Sequence, residues 1–150
     1  MSGTYYSTQP LMPFIGATKN AAGTITLAPV TLSGTATDNR KEIDVDGMQQ
    51  LVLYIRYITG AATTGTLNMT VEFSPDGTNY YQEATEAVAT STVTEYQGAR
   101  QFAGAVAATT YSFTVAIPIA HKGKFRMSFT ETKSGSNYGT LSILAVPSGQ

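Results

Sequence analysis

The sequence predicts an all-β domain: an antiparallel, jelly-roll-like β-sandwich of about seven to nine strands, preceded by an extended N-terminal arm. Three observations predict it. Apolar residues alternate with polar ones at period two in several segments, and no segment keeps a helical period. Gly, Pro, Asn and Asp punctuate the chain every ten residues or so, the spacing of turns in sandwiches and barrels. Only 13% of residues are charged, and threonine supplies much of the missing polarity. Threonine is β-branched and fits a pleated, solvated surface.

The elements follow in order. Residues 1–23 carry Pro10, Pro13, Gly16 and Gly23 without a regular period, together with Tyr5, Tyr6, Leu11, Met12, Phe14 and Ile15. Such a segment is too apolar for a solvated tail. It reads either as a strand packed on its own domain or as an arm lying on a neighbouring subunit, its aromatics serving as anchors. Residues 24–150 form the sandwich domain. Thr24 to Leu32 alternates weakly and contains Pro29, as an edge strand or bulge does. Residues 33–47 are a polar connection in which Ile43 and Val45 pair briefly. Met48 to Ile58 is apolar on both faces near its middle, which predicts a central strand. After a Thr/Gly-rich loop, Thr66 to Phe73 alternates cleanly, and Asn79 to Ala84 returns as its hairpin partner. Residues 84–109 are low in complexity and read as a long loop or weak strands, with a helical turn or two allowed over Glu86 to Thr94. Tyr111 to Ile117 alternates and stops at Pro118. Phe125 to Phe129 and Leu141 to Ala145 are the last strands, joined by a hairpin loop in TKSGSNYG.

Composition excludes several functions. Nine basic and ten acidic residues leave a net charge of −1, so no field steers nucleic acid or anionic lipid. There is no cysteine, hence no disulfide framework and no thiolate chemistry, which favours assembly in a reducing cytosol. MSGTYYSTQPLMPF lacks the basic and apolar regions of a secretory signal. The longest apolar run, Leu51 to Ile58, is interrupted by Arg56 and is too short to span a membrane. No membrane partner is expected.

Catalysis finds little to work with. The single histidine, His121, sits between lysine-flanked strands, as a solvated turn residue does. No Gly-x-Ser-x-Gly elbow accompanies it. Glu72, Asp76, Glu83 and Glu86 are close in sequence, but Glu72 lies on the polar face of its strand, where a solvated charge is expected. Asp44-Val45-Asp46-Gly47 resembles part of a Ca²⁺ loop without its bidentate glutamate and reads as a turn, Gly47 taking positive φ. No glycine-rich loop precedes a helix. The expectation is a protein that is not an enzyme, with no metal and no cofactor.

The richest run is VEFSPDGTNYY, residues 71–81. In Ser74-Pro75-Asp76-Gly77 proline presets φ, aspartate caps the turn and glycine takes the left-handed position. Tyr80 and Tyr81 follow, able to pack on the sheet, stack on a sugar or enter a protein groove. LVLYIRYITG, a Thr/Gly loop, the SPDGTNYY strand end and GKFRMSFTETKSGSNYGTLSILAV together resemble a group of small virion structural proteins of tailed bacteriophages. The likeness covers residues 48–83 and 122–146. It implies a capsid cement or decoration protein of the virion, assembled in the host cytoplasm. The major capsid protein would be its partner, and a homo-oligomer such as a trimer would clamp several shell subunits at once. Tyr5, Tyr6, Leu11, Phe14 and Ile15, with Tyr80 and Tyr81, are the expected interface residues. A glycan-binding module of a phage tail or similar assembly is the alternative.

Overall fold

A computed structural model describes residues 11–82, 85–89, 92–96, 99–119 and 123–149; over 85–89 and 92–96 and at positions 99 and 149 the description is of the backbone alone. The chain forms β1 (Met12–Ile15), β2 (Ala17–Lys19), β3 (Ile25–Leu27), β4 (Val30–Thr31), β5 (Arg40–Asp44), β6 (Met48–Ile58) and β7 (Thr64–Ser74). It continues with β8 (Tyr81–Gln82), β9 (Thr85–Ala89), β10 (Thr92–Tyr96), β11 (Ala99–Gly104), β12 (Thr110–Pro118), β13 (Lys124–Ser134) and β14 (Thr140–Gly149). There is no helix among the described residues.

Two five-stranded antiparallel sheets carry the fold. The first runs β1-β14-β6-β12, with β4 also on β14; the second runs β11-β7-β13-β5, with β8 also on β7. Take β1, β5, β6, β7, β11, β12, β13 and β14 as strands 1 to 8. The sheets then read 1-8-3-6 and 2-7-4-5, the strand order of a jelly roll. The hairpins β2–β3 and β9–β10 stand as two-stranded additions.

Alternation decides which side chains meet between the sheets. Leu51, Leu53, Ile55 and Tyr57 of β6 face Leu67, Met69 and Val71 of β7 and Phe125, Met127 and Phe129 of β13, all buried. Each such side chain contributes about 1.5–3 kcal/mol by leaving water. The predicted central place of Met48 to Ile58 is what the pairing gives, with β14 on one side and β12 on the other.

Several expectations change. Residues 12–19 take the packed reading: β1 pairs with β14, and Phe14 meets Phe129 edge-on with ring centroids 6.4 Å apart. Among the described residues the hairpin return after the SPDG turn is β8, pairing Gln82 with Glu72 and Tyr81 with Phe73; Glu83 and Ala84 of the expected strand lie outside them. The region 84–109 holds three strands, with no helical turn in the described part of 86–94. TKSGSNYG is an arch between sheets, because β13 and β14 pair with β7 and β6 and not with each other. A hairpin and an arch use the same turn residues, so the local sequence does not separate them.

One buried polar pair ties the sheets together. Tyr57 Oη donates to Glu131 Oε2, and Gly139 N donates to Glu131 Oε1 at 2.7 Å. Tyr57 is fully buried and Glu131 is 3% exposed. Burial, reinforced by the adjacent carboxylate, drives the Tyr57 phenol far above its ordinary range. Phe102 packs edge-on and Tyr111 packs stacked against the Tyr57 ring, each with centroids 6.4 Å away. Glycines make the room. A methyl on Gly65 would overlap Tyr57 Oη and Glu131 Oε2, and one on Gly104 would lie 2.5 Å from Thr59 Cγ2 and 3.0 Å from Tyr57 Cε2.

Candidate functional site: two unlike outer faces

The SPDG turn is built as its residues dictate. Gly77 has φ +77°, the left-handed region that glycine enters freely. Asp76 Oδ1 accepts from Thr78 N (2.8 Å), Asn79 N (2.7 Å) and Ser74 Oγ (3.0 Å), and Oδ2 accepts from Asn79 Nδ2 (2.7 Å). The Asn79 and Thr78 backbone N–H groups, in that order, hold its carboxyl well below the usual carboxylate range. Asp46, in the segment that resembles part of a Ca²⁺ loop, accepts from Gly123 N at 2.8 Å. Gly47 has φ +83°, as the turn reading requires. No group of three His, Cys, Asp or Glu able to hold a metal occurs among the described residues.

Beyond the turn, the outer face of the second sheet is polar along its length. The Arg126 guanidinium lies 3.6 Å from the centroid of Tyr80. Its Nε donates to Glu72 Oε1 at 2.5 Å, and Nη1 is 3.8 Å from Glu42 Oε2. Tyr80 Oη donates to Glu42 Oε1 at 3.2 Å. Partial desolvation, then Glu42, raises the Tyr80 phenol, and the Glu72 hydrogen bond raises Arg126. Further along, Gln101 Nε2 donates to Asn68 Oδ1 (2.9 Å), and Asn68 Nδ2 donates to Thr132 Oγ1 (3.0 Å). The face ends in a shallow depression of about 470 Å³ lined by Thr64, Thr66, Thr132 and Ser134 among others.

The first sheet presents the opposite chemistry. Gly16, at φ +60°, turns the chain out of β1, where a side chain would collide with Leu141 O at 2.5 Å. The β2–β3 hairpin then brings Leu27 over the sheet. Leu27, Tyr54 and Leu144 wall a groove of about 330 Å³, whose polar groups include Arg56, Ser112, Thr114 and Ser142. Leu27 is 40% and Tyr54 48% exposed, large apolar surface left in water. Among the described residues, Arg56 has no ion pair and the buried Ser142 no side-chain hydrogen bond.

The predicted interface residues scatter over this frame. Tyr5 and Tyr6 lie outside the described residues, as does His121. Leu11 is exposed at the edge of the first sheet, whereas Phe14 and Ile15 are buried in the chain's own core and are unavailable as anchors. Tyr80 and Tyr81 lie in different settings. Tyr80 is half-buried under Arg126, and Tyr81 stands 63% exposed on β8. Glu72 is an ion-pair partner of Arg126 on the outer face; Glu83 and the side chain of Glu86 lie outside the described residues. Sequence reading missed the groove. Its signal is the second apolar face of β6, which the central-strand expectation assigns to burial. Tyr54 on that face is instead left half open.

Compared with protein-family models and with curated protein sequences, the chain matches none.

Proposed function

We propose that the chain is a structural protein of a tailed-phage virion, a capsid cement protein that binds the outer shell as a homo-oligomer and stabilises it by bridging subunits of the major capsid protein. The observation that carries this reading is the difference between the two outer faces. One sheet exposes an apolar groove; the other exposes hydroxyls, amides and internally paired charges. A protein that sits on a shell needs one face that loses water on docking and one that keeps it. The sequence likeness to virion proteins points the same way, and the jelly roll is shared by viral capsid and lectin domains, an argument by analogy alone.

In this reading the groove takes an apolar side chain of the capsid protein, and Arg56 meets a carboxylate or carbonyl beside it. The binding is non-catalytic and needs no cofactor. For the glycan alternative, Arg126 covers one face of the Tyr80 ring, which leaves Tyr81, 63% exposed on β8, as its stacking candidate.

The test is to purify virions of the phage that encodes the chain and measure its copy number against the major capsid protein. Stoichiometric presence in intact particles is expected, with loss of rebinding for Tyr54→Lys protein added to stripped heads. Absence from purified particles sinks the reading.

A further inference from the structure

A jelly roll has four strand edges, and three of them here are defended. β5 is short, and Arg40, Lys41, Glu42 and Asp44 leave only Ile43 uncharged. β1 has four residues, including Pro13, and a bulge between Pro13 and Ile15. β11 has six residues, with Arg100 among them. Short length, charge, proline and bulges are the usual means of preventing strand addition. β12 has none of them in its body. It runs nine residues, TYSFTVAIP, without a charged side chain, and its proline comes last. Its pairing with β6 is unbroken from Thr110 opposite Ile58 to Pro118 opposite Gln50.

The direction of its free hydrogen-bonding groups follows from the two ends of that ladder. Thr59 N donates to Thr109 O at 3.1 Å, and Ile119 N donates to Gln49 O at 2.8 Å. Partners in an antiparallel ladder alternate between exchanging hydrogen bonds and not exchanging them. Tyr111, Phe113, Val115 and Ile117 therefore turn their N–H and C=O groups to β6. Thr110, Ser112, Thr114 and Ala116 turn theirs outward, where no hydrogen bond among the described residues meets them. The side chains of these four residues are all exposed.

We propose that the free edge of β12 pairs antiparallel with β12 of a second copy, about a twofold axis at Phe113. The register is self-complementary. Ser112 falls opposite the partner's Thr114, and Thr110 opposite the partner's Ala116, so every outward N–H finds a carbonyl. No like charges meet: on the outer face the facing side chains are small or hydroxylated, and on the inner face Phe113 meets the partner's Phe113 and Tyr111 the partner's Val115, aromatic and aromatic–β-branched pairs that stabilise sheets. The two first sheets become one continuous sheet. Because Ser112 and Thr114 also line the apolar groove, the grooves of the two copies open into a single trough across the interface. The oligomer is then a twofold dimer in place of the trimer expected from the sequence likeness. This inference rests on strand geometry and is independent of the virion reading.

Sedimentation velocity on the purified full chain tests it, with circular dichroism to confirm that each variant keeps its strands. The wild type is expected at twice the monomer mass of 15.9 kDa. Ser112→Glu with Thr114→Glu sets carboxylates opposite each other across the axis and is expected to give monomers. Ser112→Glu with Thr114→Lys sets opposite charges in the same places and is expected to restore the dimer. Thr114→Pro removes an outward N–H while sparing the β6 ladder, and is expected to be monomeric. A monomeric wild type overturns the proposal, including one whose β12 edge is protected from hydrogen exchange only on virions, which would give the edge to a capsid strand. So does a dimer that survives both Thr114→Pro and the paired carboxylates.

Discussion

The molecule contains the same side-chain pair twice, in two solvents. Tyr57 donates to Glu131 between the sheets, and Tyr80 donates to Glu42 on the outer face of the second sheet. Inside, no cation accompanies the pair in the hydrogen bonds and ion pairs described; the partners are a backbone N–H from Gly139 and aromatic rings. Outside, Arg126 covers the tyrosine ring and reaches both Glu42 and Glu72. The difference teaches that a hydrogen bond's worth is set by what replaces it. Water can take over for Glu42, and nothing can take over for Glu131.

The sharpest break of this comparison is Glu131→Ala. It leaves Tyr57 Oη and Gly139 N buried without a partner and opens a void, a loss of about 4 kcal/mol, read as a lower urea midpoint at unchanged slope. Tyr57→Phe is next: it keeps the ring and removes the donor, so the buried carboxylate retains only Gly139, at a cost of about 2–3 kcal/mol. Combining Tyr57→Phe with Glu131→Leu should recover part of the Glu131→Ala loss, because both polar side chains then leave together. Arg126→Ala, on the outer face, removes a partly exposed ion pair and a cation–π contact, and should cost about 1–2 kcal/mol.

Asp76 separates hydrogen-bond number from burial, since its carboxylate accepts four hydrogen bonds in full exposure to solvent. Its folded pKa is depressed. The stability it contributes is therefore present above the unfolded carboxylate range and is lost as pH falls through the lower folded value. Asp76→Asn should flatten the acid limb of the melting curve in that window and change the neutral-pH midpoint less than Arg126→Ala does. Smallest of all is Tyr80→Phe, which keeps the ring under Arg126 and gives up one exposed hydrogen bond. It should stay within about 0.5 kcal/mol of wild type by the same melts.

Much of this was legible before any coordinates. Period-two patterning located β6, β7, β12, β13 and β14, and residue chemistry gave the Ser74–Gly77 turn in detail. The buried pair lay one step further along the same rule. Phe125, Met127 and Phe129 face inward, so Glu131 must as well, and Leu51, Leu53 and Ile55 place Tyr57 opposite. A charged residue ended the apolar count too early. The groove and the sheet-to-sheet arches were out of reach for a different reason. Whether Tyr54 is covered depends on where the β2–β3 hairpin folds, and strand order depends on pairings between residues as distant as Met12 and Ala145. Neither leaves a trace in a local window.

The room around the Tyr57–Glu131 pair has a genetic consequence. Every alternative to glycine carries at least a Cβ, and at Gly65, Gly104 and Gly139 that atom would fall on the pair, on Thr59 or on the Ile58 carbonyl. No single-base change in these three codons that alters the amino acid can be silent in the fold. A random-mutagenesis library selected for folded protein should therefore return these positions as fixed glycines, while Gly23 and Gly47, with open space around them but at φ +87° and +83°, should admit chiefly Asn or Asp, which enter the left-handed region most readily.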